Sequence, residues 1–162
     1  MDLRRVRVFG AGGALRVELT MPRVTQGWNP PNGFDHVAFT VFIELPGRQG
    51  GATVMPLQNA RLPEGMRWHL RLRAGDWTNA LFGWAGASET HEGTAVTPAA
   101  TLQADPARNT VSFTLPAAAL GGAPLQGARI YVTTWDYDGG YRALSPAPQP
   151  YAIGGGPDDG PR

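Results

Sequence analysis

The chain contains no cysteine, which excludes disulfides, thiolate metal sites and cysteine nucleophiles. It also has little charge, because 17% of its residues are charged and the formal net charge is +1. A nucleic-acid-binding domain usually carries a strong basic excess, so the charge argues against that class. No run approaches the roughly 18 apolar residues of a membrane span, and the charged N-terminus lacks the apolar segment of a signal peptide. We therefore expect no membrane insertion, and no export signal in this stretch of chain.

Glycine and proline are abundant, with 22 and 15 of the 162 residues, yet 42% of the residues are hydrophobic. Many turns between short apolar segments explain this combination and favour an all-β domain. Strands are predicted at residues 3–9, 14–21, 37–45, 66–74, 78–85, 94–104 (a pair), 110–115 and 128–137, and a single helical turn at 116–120. About eight to ten short strands predict an antiparallel β-sandwich, jelly-roll or immunoglobulin-like, over residues 2–153. Residues 154–162 are predicted to be a Gly/Pro-rich tail or linker.

Two predicted strands indicate how the sheets are covered. Residues 37–45 are largely apolar, with Val37, Phe39, Val41 and Ile43 on one face and Ala38 and Phe42 on the other beside Thr40 and Glu44, so both faces are expected to be at least half covered. In residues 66–74, Trp68, Leu70 and Leu72 share one face and are expected in the core. The opposite face carries a basic stripe of Arg67, His69, Arg71 and Arg73. Such a stripe could dock an anionic polymer, but a solvated face with charges balanced by a neighbouring strand is the favoured interpretation.

Four segments carry a family resemblance: WNPPNGFDHVAFTVFIELPG from Trp28, MPLQNA from Met55, WHLRLRAGDWTNALF from Trp68 and YVTTWDYDGGYRAL from Tyr131. With these motifs the chain resembles the C-terminal domain of glucodextranase and related α-amylase-family proteins. That domain is a β-sandwich similar to family 9 carbohydrate-binding modules and DOMON domains. The similarity covers roughly residues 2–160. The chain departs from the family in lacking the usual first segment rich in Asp, Gly, Tyr and Pro, which implies that a first strand, and with it a calcium-binding loop, is missing here.

The resemblance implies a non-catalytic accessory module of an exported α-glucan-active glycoside hydrolase, working in an extracellular or periplasmic location. Its partners would be an α-glucan or other saccharide and the catalytic domain of the same polypeptide. The alternative is a structural docking domain whose aromatic loops are buried against that catalytic domain or an envelope component. Haem binding, known among DOMON-like domains, needs axial ligands, and no Met or His spacing singles out a pair.

Aromatic rings that stack on the apolar face of a pyranose are the first requirement of a saccharide site. Trp28 lies among turn residues and Trp77 follows a Gly-Asp turn, so these two are the candidates for stacking. Nearby amides for sugar hydroxyls are Asn29, Asn32 and Asn79, and the turn after residue 136 adds Tyr141. The competing interpretation is that each tryptophan simply caps an end of the sandwich.

Carboxylates give two further hypotheses. Asp136 and Asp138 stand two residues apart at a strand end before Gly-Gly, and with Asp35 they could bind a structural calcium ion through hard oxygen ligands. Solvated acids that cap the backbone would give the same pattern. A glycosidase needs two facing carboxylates, for which Asp136 with Asp138, or Glu44 with Asp76, are available. Nothing beyond the presence of acids supports catalysis, so no catalytic residue is predicted. The three histidines lack zinc-site spacing, so no zinc site is expected.

Overall fold

The computed structural model of the chain describes residues 2–136. That part contains eleven strands and one helical turn: β1 (Arg5–Ala11), β2 (Ala14–Thr20), β3 (Val37–Glu44), β4 (Val54–Met55), β5 (Ala60–Arg61), β6 (Leu70–Ala74), β7 (Asn79–Gly83), β8 (Thr94–Val96), β9 (Thr101–Asp105), β10 (Thr110–Leu115), α1 (Ala117–Leu120) and β11 (Arg129–Asp136). Every predicted strand is present within a few residues. The short strands β4 and β5 were not predicted. No helix in residues 2–136 is long and apolar enough to cross a membrane.

Two antiparallel sheets form the predicted sandwich. The first has the strand order β1-β2-β10-β9 and the second β11-β3-β6-β7-β8, while β4 and β5 make a separate hairpin. In the first sheet, Leu15, Val17 and Leu19 of β2 lie opposite residues 115, 113 and 111 of β10. All six side chains are buried, together with Phe39, Val41 and Ile43 of the second sheet. The period-2 alternation thus directs one face of each sheet into a shared core.

Strand β1 forms the border of the first sheet, and all seven of its residues are exposed. Val6 and Val8 pair with Leu19 and Val17, so they lie on the core side of the sheet. They are nevertheless 40% and 45% exposed. The expected loss of a preceding strand remains a prediction.

A second apolar cluster lies on the outer side of the second sheet, under the β4–β5 hairpin. It consists of buried Phe42, Met55, Leu62, Met66 and Trp68. The Trp68 indole N–H donates to the carbonyl of Val54, 2.7 Å away, which ties the hairpin to the sheet. Strand β3 therefore has buried side chains on both faces, as its composition predicts.

The basic stripe is not a solvated face, and that prediction is wrong. Arg71 and His69 are buried, and Nη1 of Arg71 donates to the carbonyl of Pro56 in the hairpin, 3.4 Å away. The carboxylate of Glu92, in the loop after β7, accepts hydrogen bonds from both Arg71 (2.5 Å) and Arg73. The Arg71 guanidinium also lies over the Phe82 ring, 5.1 Å from its centroid. The charge is balanced by a loop that folds back over the sheet, rather than by a neighbouring strand.

Trp68 is buried as predicted, but on the other face of the sheet from Leu70 and Leu72. The two leucines belong to the core between the sheets, whereas Trp68 belongs to the outer cluster. The alternation shifts by one residue at His69, outside the regular pairing of β3 with β6, which begins at Leu70. Before that point Trp68 forms an isolated bridge with Ala52.

His69 is held at this shift in its neutral form. Its Nδ1 accepts a hydrogen bond of 2.9 Å from the backbone N–H of Leu45. Burial lowers the pKa of His69 below its usual value, and the positive charge of Arg48 lowers it further. Protonation of Nδ1 would remove the acceptor that Leu45 uses.

We expect acidification to weaken the fold through His69. The unfolded chain takes up the proton near pH 6.5 and the folded chain only at lower pH. The contribution of this group is therefore fully present above pH 6.5 and is lost as the pH falls through the folded pKa, with a slope of at most about 1.4 kcal/mol per pH unit. Urea unfolding between pH 7 and 5 should show a shallower loss in His69→Gln than in the wild type. Equal slopes for the two proteins would contradict this assignment.

Candidate functional site

The loop between β2 and β3 is held in a fixed shape by one buried carboxylate. Asp35 accepts hydrogen bonds from the Thr25 hydroxyl and from the backbone N–H of Trp28, the latter at 2.7 Å. Thr25 and Asp35 also form a backbone bridge that closes the base of the loop. Within the loop, Asn29 and Gly33 have φ values of 51° and 76°, in the left-handed region. Asn and Gly are the residues that adopt this conformation most readily, so the sequence predicts a turn here.

The turn after β6 is fastened to this loop by Asn32. Its side-chain amide donates to the carbonyls of Gly75 (2.6 Å) and Thr78 (2.9 Å). The Asn32 backbone N–H donates to the carbonyl of Asp76 at 3.3 Å. Both hydrogens of the amide are used in this way, so only the side-chain oxygen of Asn32 is left to face a ligand. The two loops consequently form one unit at the end of the sandwich where β3 begins.

This unit brings the two predicted tryptophans together. The rings of Trp28 and Trp77 are nearly parallel, with 21° between their planes and 6.5 Å between centroids. They are 46% and 56% exposed, the two highest values among the exposed large hydrophobic residues. The His36 ring lies against Trp28 with 3.8 Å between centroids. Two offset, near-parallel indoles form an exposed aromatic surface that one tryptophan alone could not provide.

The predicted sugar-binding amides differ in their exposure and in the hydrogen bonds that they already make. Asn29 is exposed beside Trp28, and Asn79 is exposed beside Trp77, although its amide donates to the carbonyl of Ala100 at 2.7 Å. A depression of about 490 Å³ adjoins the loop and is lined in part by Arg4, Arg23 and His36. His36 and Arg23 were not predicted as site residues. The position of His36 directly after the NGFD turn is the only sequence signal that points to it.

Two buried acids lie in the same two loops as the aromatic pair. Asp35 is 2% exposed and Asp76 is 0% exposed. Burial raises the pKa of Asp76 above its usual range, and the negative charge of Asp35 raises it further. The backbone N–H groups of Asp76 and His36 and the His36 ring act in the opposite direction. Among the described residues, the backbone N–H groups of Asp76 and His36 are the donors that face this carboxyl, and neither makes a hydrogen bond of regular geometry with it.

The proposed calcium ligands are only partly located. Strand pairing places Asp136 opposite Val37, so β11 ends beside the aromatic loops. Asp138 and Tyr141 lie outside the described residues. Within residues 2–136 no group of three His, Cys, Asp or Glu side chains is arranged to hold a metal ion. The site formed by Asp35, Asp136 and Asp138 remains a prediction.

Glu44 and Asp76 cannot act together as a catalytic pair. Glu44 ends β3, and its carboxylate pairs with Arg129 at 2.6 Å. Asp76 lies beyond β6 at the opposite end, where β3 begins. A strand of eight residues separates the two acids by roughly 25 Å, far more than the 5–10 Å that glycoside hydrolysis requires.

Comparison with protein families places the whole chain in one of them. The family model described as the C-terminal, SLH-like binding module of glucodextranase matches residues 1–162. No curated protein matches the chain.

Proposed function

Because the chain belongs to the family of C-terminal, SLH-like binding modules of glucodextranase, we propose that it is a non-catalytic module that binds an α-glucan through Trp28 and Trp77. The observation that carries this proposal is the pair of exposed, near-parallel indoles at one end of the sandwich. Exposed apolar residues that form a contiguous patch, as these two rings do, mark a surface that contacts a ligand or a partner, whereas single exposed ones do not.

The chemistry of a sugar ring fits such a surface. A pyranose presents C–H groups on its faces and hydroxyls around its rim, so the indoles would contact a face while polar groups bind the rim. Asn29 follows Trp28 and Asn79 lies two residues after Trp77, both of them exposed, and Asn32 joins the two loops through its amide. Since Asp35 and Asn32 fix both loops in advance, little conformational entropy would be lost on binding.

The role of the module would be to raise the local concentration of substrate. Attached to the catalytic domain of the same polypeptide, in an extracellular or periplasmic location, it would keep the enzyme on its polymer between cleavages. A weak single-site affinity suffices for this, because the second binding event becomes intramolecular.

We expect Trp77→Ala to weaken binding of a maltooligosaccharide or dextran at least about tenfold, since truncating a central tryptophan of a binding surface commonly costs 2 kcal/mol or more. Titration followed by tryptophan fluorescence and by calorimetry measures this on the full chain. Phe9→Ala is the matched control, because Phe9 is a similarly exposed aromatic ring (45%) on β1. It should bind as the wild type does.

A flat titration of the folded wild-type chain would reject saccharide binding. The second candidate, a docking domain, would then be favoured. Its specific support is the exposure of apolar residues on both faces of the border strand β1, with Val6 and Val8 on the core side and Phe9 on the other. Docking of β1 to another domain predicts the reverse pattern, with partner binding sensitive to Phe9→Ala and indifferent to Trp77→Ala.

A further inference from the structure

Strand β1 borders the first sheet and leaves one edge unpaired in the described part of the chain, where β2 is its neighbour. All seven of its residues are exposed, so a row of backbone N–H and C=O groups faces solvent. Such an edge is a template for another strand, and border strands are usually protected by proline, by a bulge or by inward charges. β1 has no proline, and Arg5 and Arg7 lie on the outer face, where they pair with Thr20 and Glu18. It is therefore open to the addition of a strand.

The core side of β1 is apolar and uncovered. Val6 and Val8 are exposed there, whereas Leu102, on the core side of the other border strand β9, packs against the core. A depression of about 530 Å³ adjoins the end of β1 and is lined in part by Val8, Gly10 and Leu125. The Leu125 side chain lies across Gly10, with Cδ1 3.0 Å from the position of a Cβ there. An added strand would thus find apolar contacts along this side.

We propose that a second copy of the chain occupies this edge, with the two β1 strands antiparallel about a two-fold axis at Val8. This register pairs all seven residues of the strand. Across the axis it places Val8 opposite Val8, Arg7 opposite Phe9, Val6 opposite Gly10 and Arg5 opposite Ala11. The first sheets of the two copies would join into one continuous sheet.

Charge and shape favour a second copy as the occupant. No arginine faces an arginine in this register, whereas an axis at Arg7 or at Val6 would bring arginines opposite each other, which is destabilising. The Arg7 guanidinium lies 5.9 Å from the centroid of its own Phe9 ring, and the axis at Val8 brings it a second ring. Val6 stands opposite Gly10, so it would meet Leu125 of the second copy at the depression. The strand is therefore complementary to itself on both faces.

The association leaves the aromatic surface free. Arg5 pairs with Thr20, so β1 begins at the end of the sandwich that carries Trp28 and Trp77. The antiparallel strand of the second copy begins at the opposite end, and the two aromatic surfaces would point away from each other. The inference does not rest on saccharide binding, and it is tested without any sugar.

Sedimentation velocity of the full chain, over concentrations from micromolar to millimolar, tests the association. We expect the mass to rise with concentration from 17.3 kDa towards twice that value. Val8→Lys should raise the dissociation constant of the dimer at least about a hundredfold, because like charges would face each other at the axis. Val8 is exposed, so the monomer should stay folded. Thr101→Lys is the matched control, since Thr101 is exposed on β9 at the other border of the sheet, and it should associate as the wild type does.

An equimolar mixture of Val8→Lys and Val8→Glu tests the register itself. Each variant alone should stay monomeric, and the mixture should associate again, since opposite charges then face each other across the axis. Three outcomes would overturn the proposal: a wild type that is monomeric at every concentration, association that persists in Val8→Lys, or a mixture that stays monomeric. In the first case, hydrogen exchange of β1 distinguishes an edge covered by another segment of the same chain, with protected amides, from one left free for a different partner. The other two outcomes would place the interface or its axis elsewhere.

Discussion

Replacing Glu92 with glutamine is expected to lower the free energy of unfolding by about 3–5 kcal/mol. The Glu92 carboxylate contacts two guanidinium groups, and that of Arg71 is completely buried. Removing one partner of a buried ion pair leaves the other charge in a site of low polarity, and this cost exceeds the net value of the pair itself. The substitution preserves the shape of the side chain, so the loss reports on charge rather than on packing.

Urea unfolding of Glu92→Gln measures this loss, and Glu89→Gln is its control. Glu89 lies in the same loop but is exposed, so its substitution should change stability by less than about 0.5 kcal/mol. If the two variants lose the same small amount, the Arg71–Glu92 contact contributes nothing measurable to the fold.

Gly93→Ala should destabilise the protein by about 4 kcal/mol. Gly93 has a φ of +101°, and a Cβ there would lie 2.2 Å from the carbonyl oxygen of Gly83. The neighbouring atom belongs to the backbone of β7, so relief requires the loop or the strand to move. Strain at a positive φ and overpacking each cost about 1–3 kcal/mol. Thermal and urea unfolding of the full chain measure the sum.

Gly86→Ala separates these two contributions. Gly86 also has a positive φ, +75°, but no atom lies within 4 Å of the position of its Cβ. It should therefore lose only the backbone contribution, about 1–2 kcal/mol. Equal losses in the two variants would show that the loop accommodates a methyl group at Gly93.

The strands of the core could be predicted because they obey a strict alternation. Val17 on β2 and Phe113 on β10 each stand in a run in which every second residue is apolar, and the structure pairs them across the sheet. A one-residue error in either strand would expose the whole set, so the pattern defines the register.

The rule that every second side chain faces the core failed just before β6, because the alternation of the side chains between the two faces shifts by one residue there. Trp68 and Leu70 are two residues apart, yet they face opposite sides of the sheet, and His69 between them accepts a hydrogen bond from the N–H of Leu45. A pattern of apolar and polar letters does not record such a shift. The burial of Arg71 was missed for a related reason: it depends on the β4–β5 hairpin, whose strands have two residues each and leave no periodic signal.

For the candidate site, the sequence indicated which tryptophans lie in turns. It did not indicate that the rings of Trp28 and Trp77 lie next to each other. Trp28 and Trp77 are brought together by the antiparallel pairing of β3 with β6 and by the amide of Asn32. Asparagine in a turn is expected for its backbone preferences. Its side-chain contact with a turn far away in sequence is a tertiary feature, and so the role of Asn32 as a connector between loops became evident only in the structure.

The exposed border strand β1 also determines how stability is distributed over the first sheet. It is attached through its hydrogen-bond ladder to β2 and through the ion pair of Arg7 with Glu18, and it contributes no buried side chain. Its detachment would give up backbone hydrogen bonds but little apolar contact area. Amide hydrogens of β1 can therefore exchange through a local opening, whereas those of β10, between two strands and over a buried face, require global unfolding. The cooperative folding unit begins at β2.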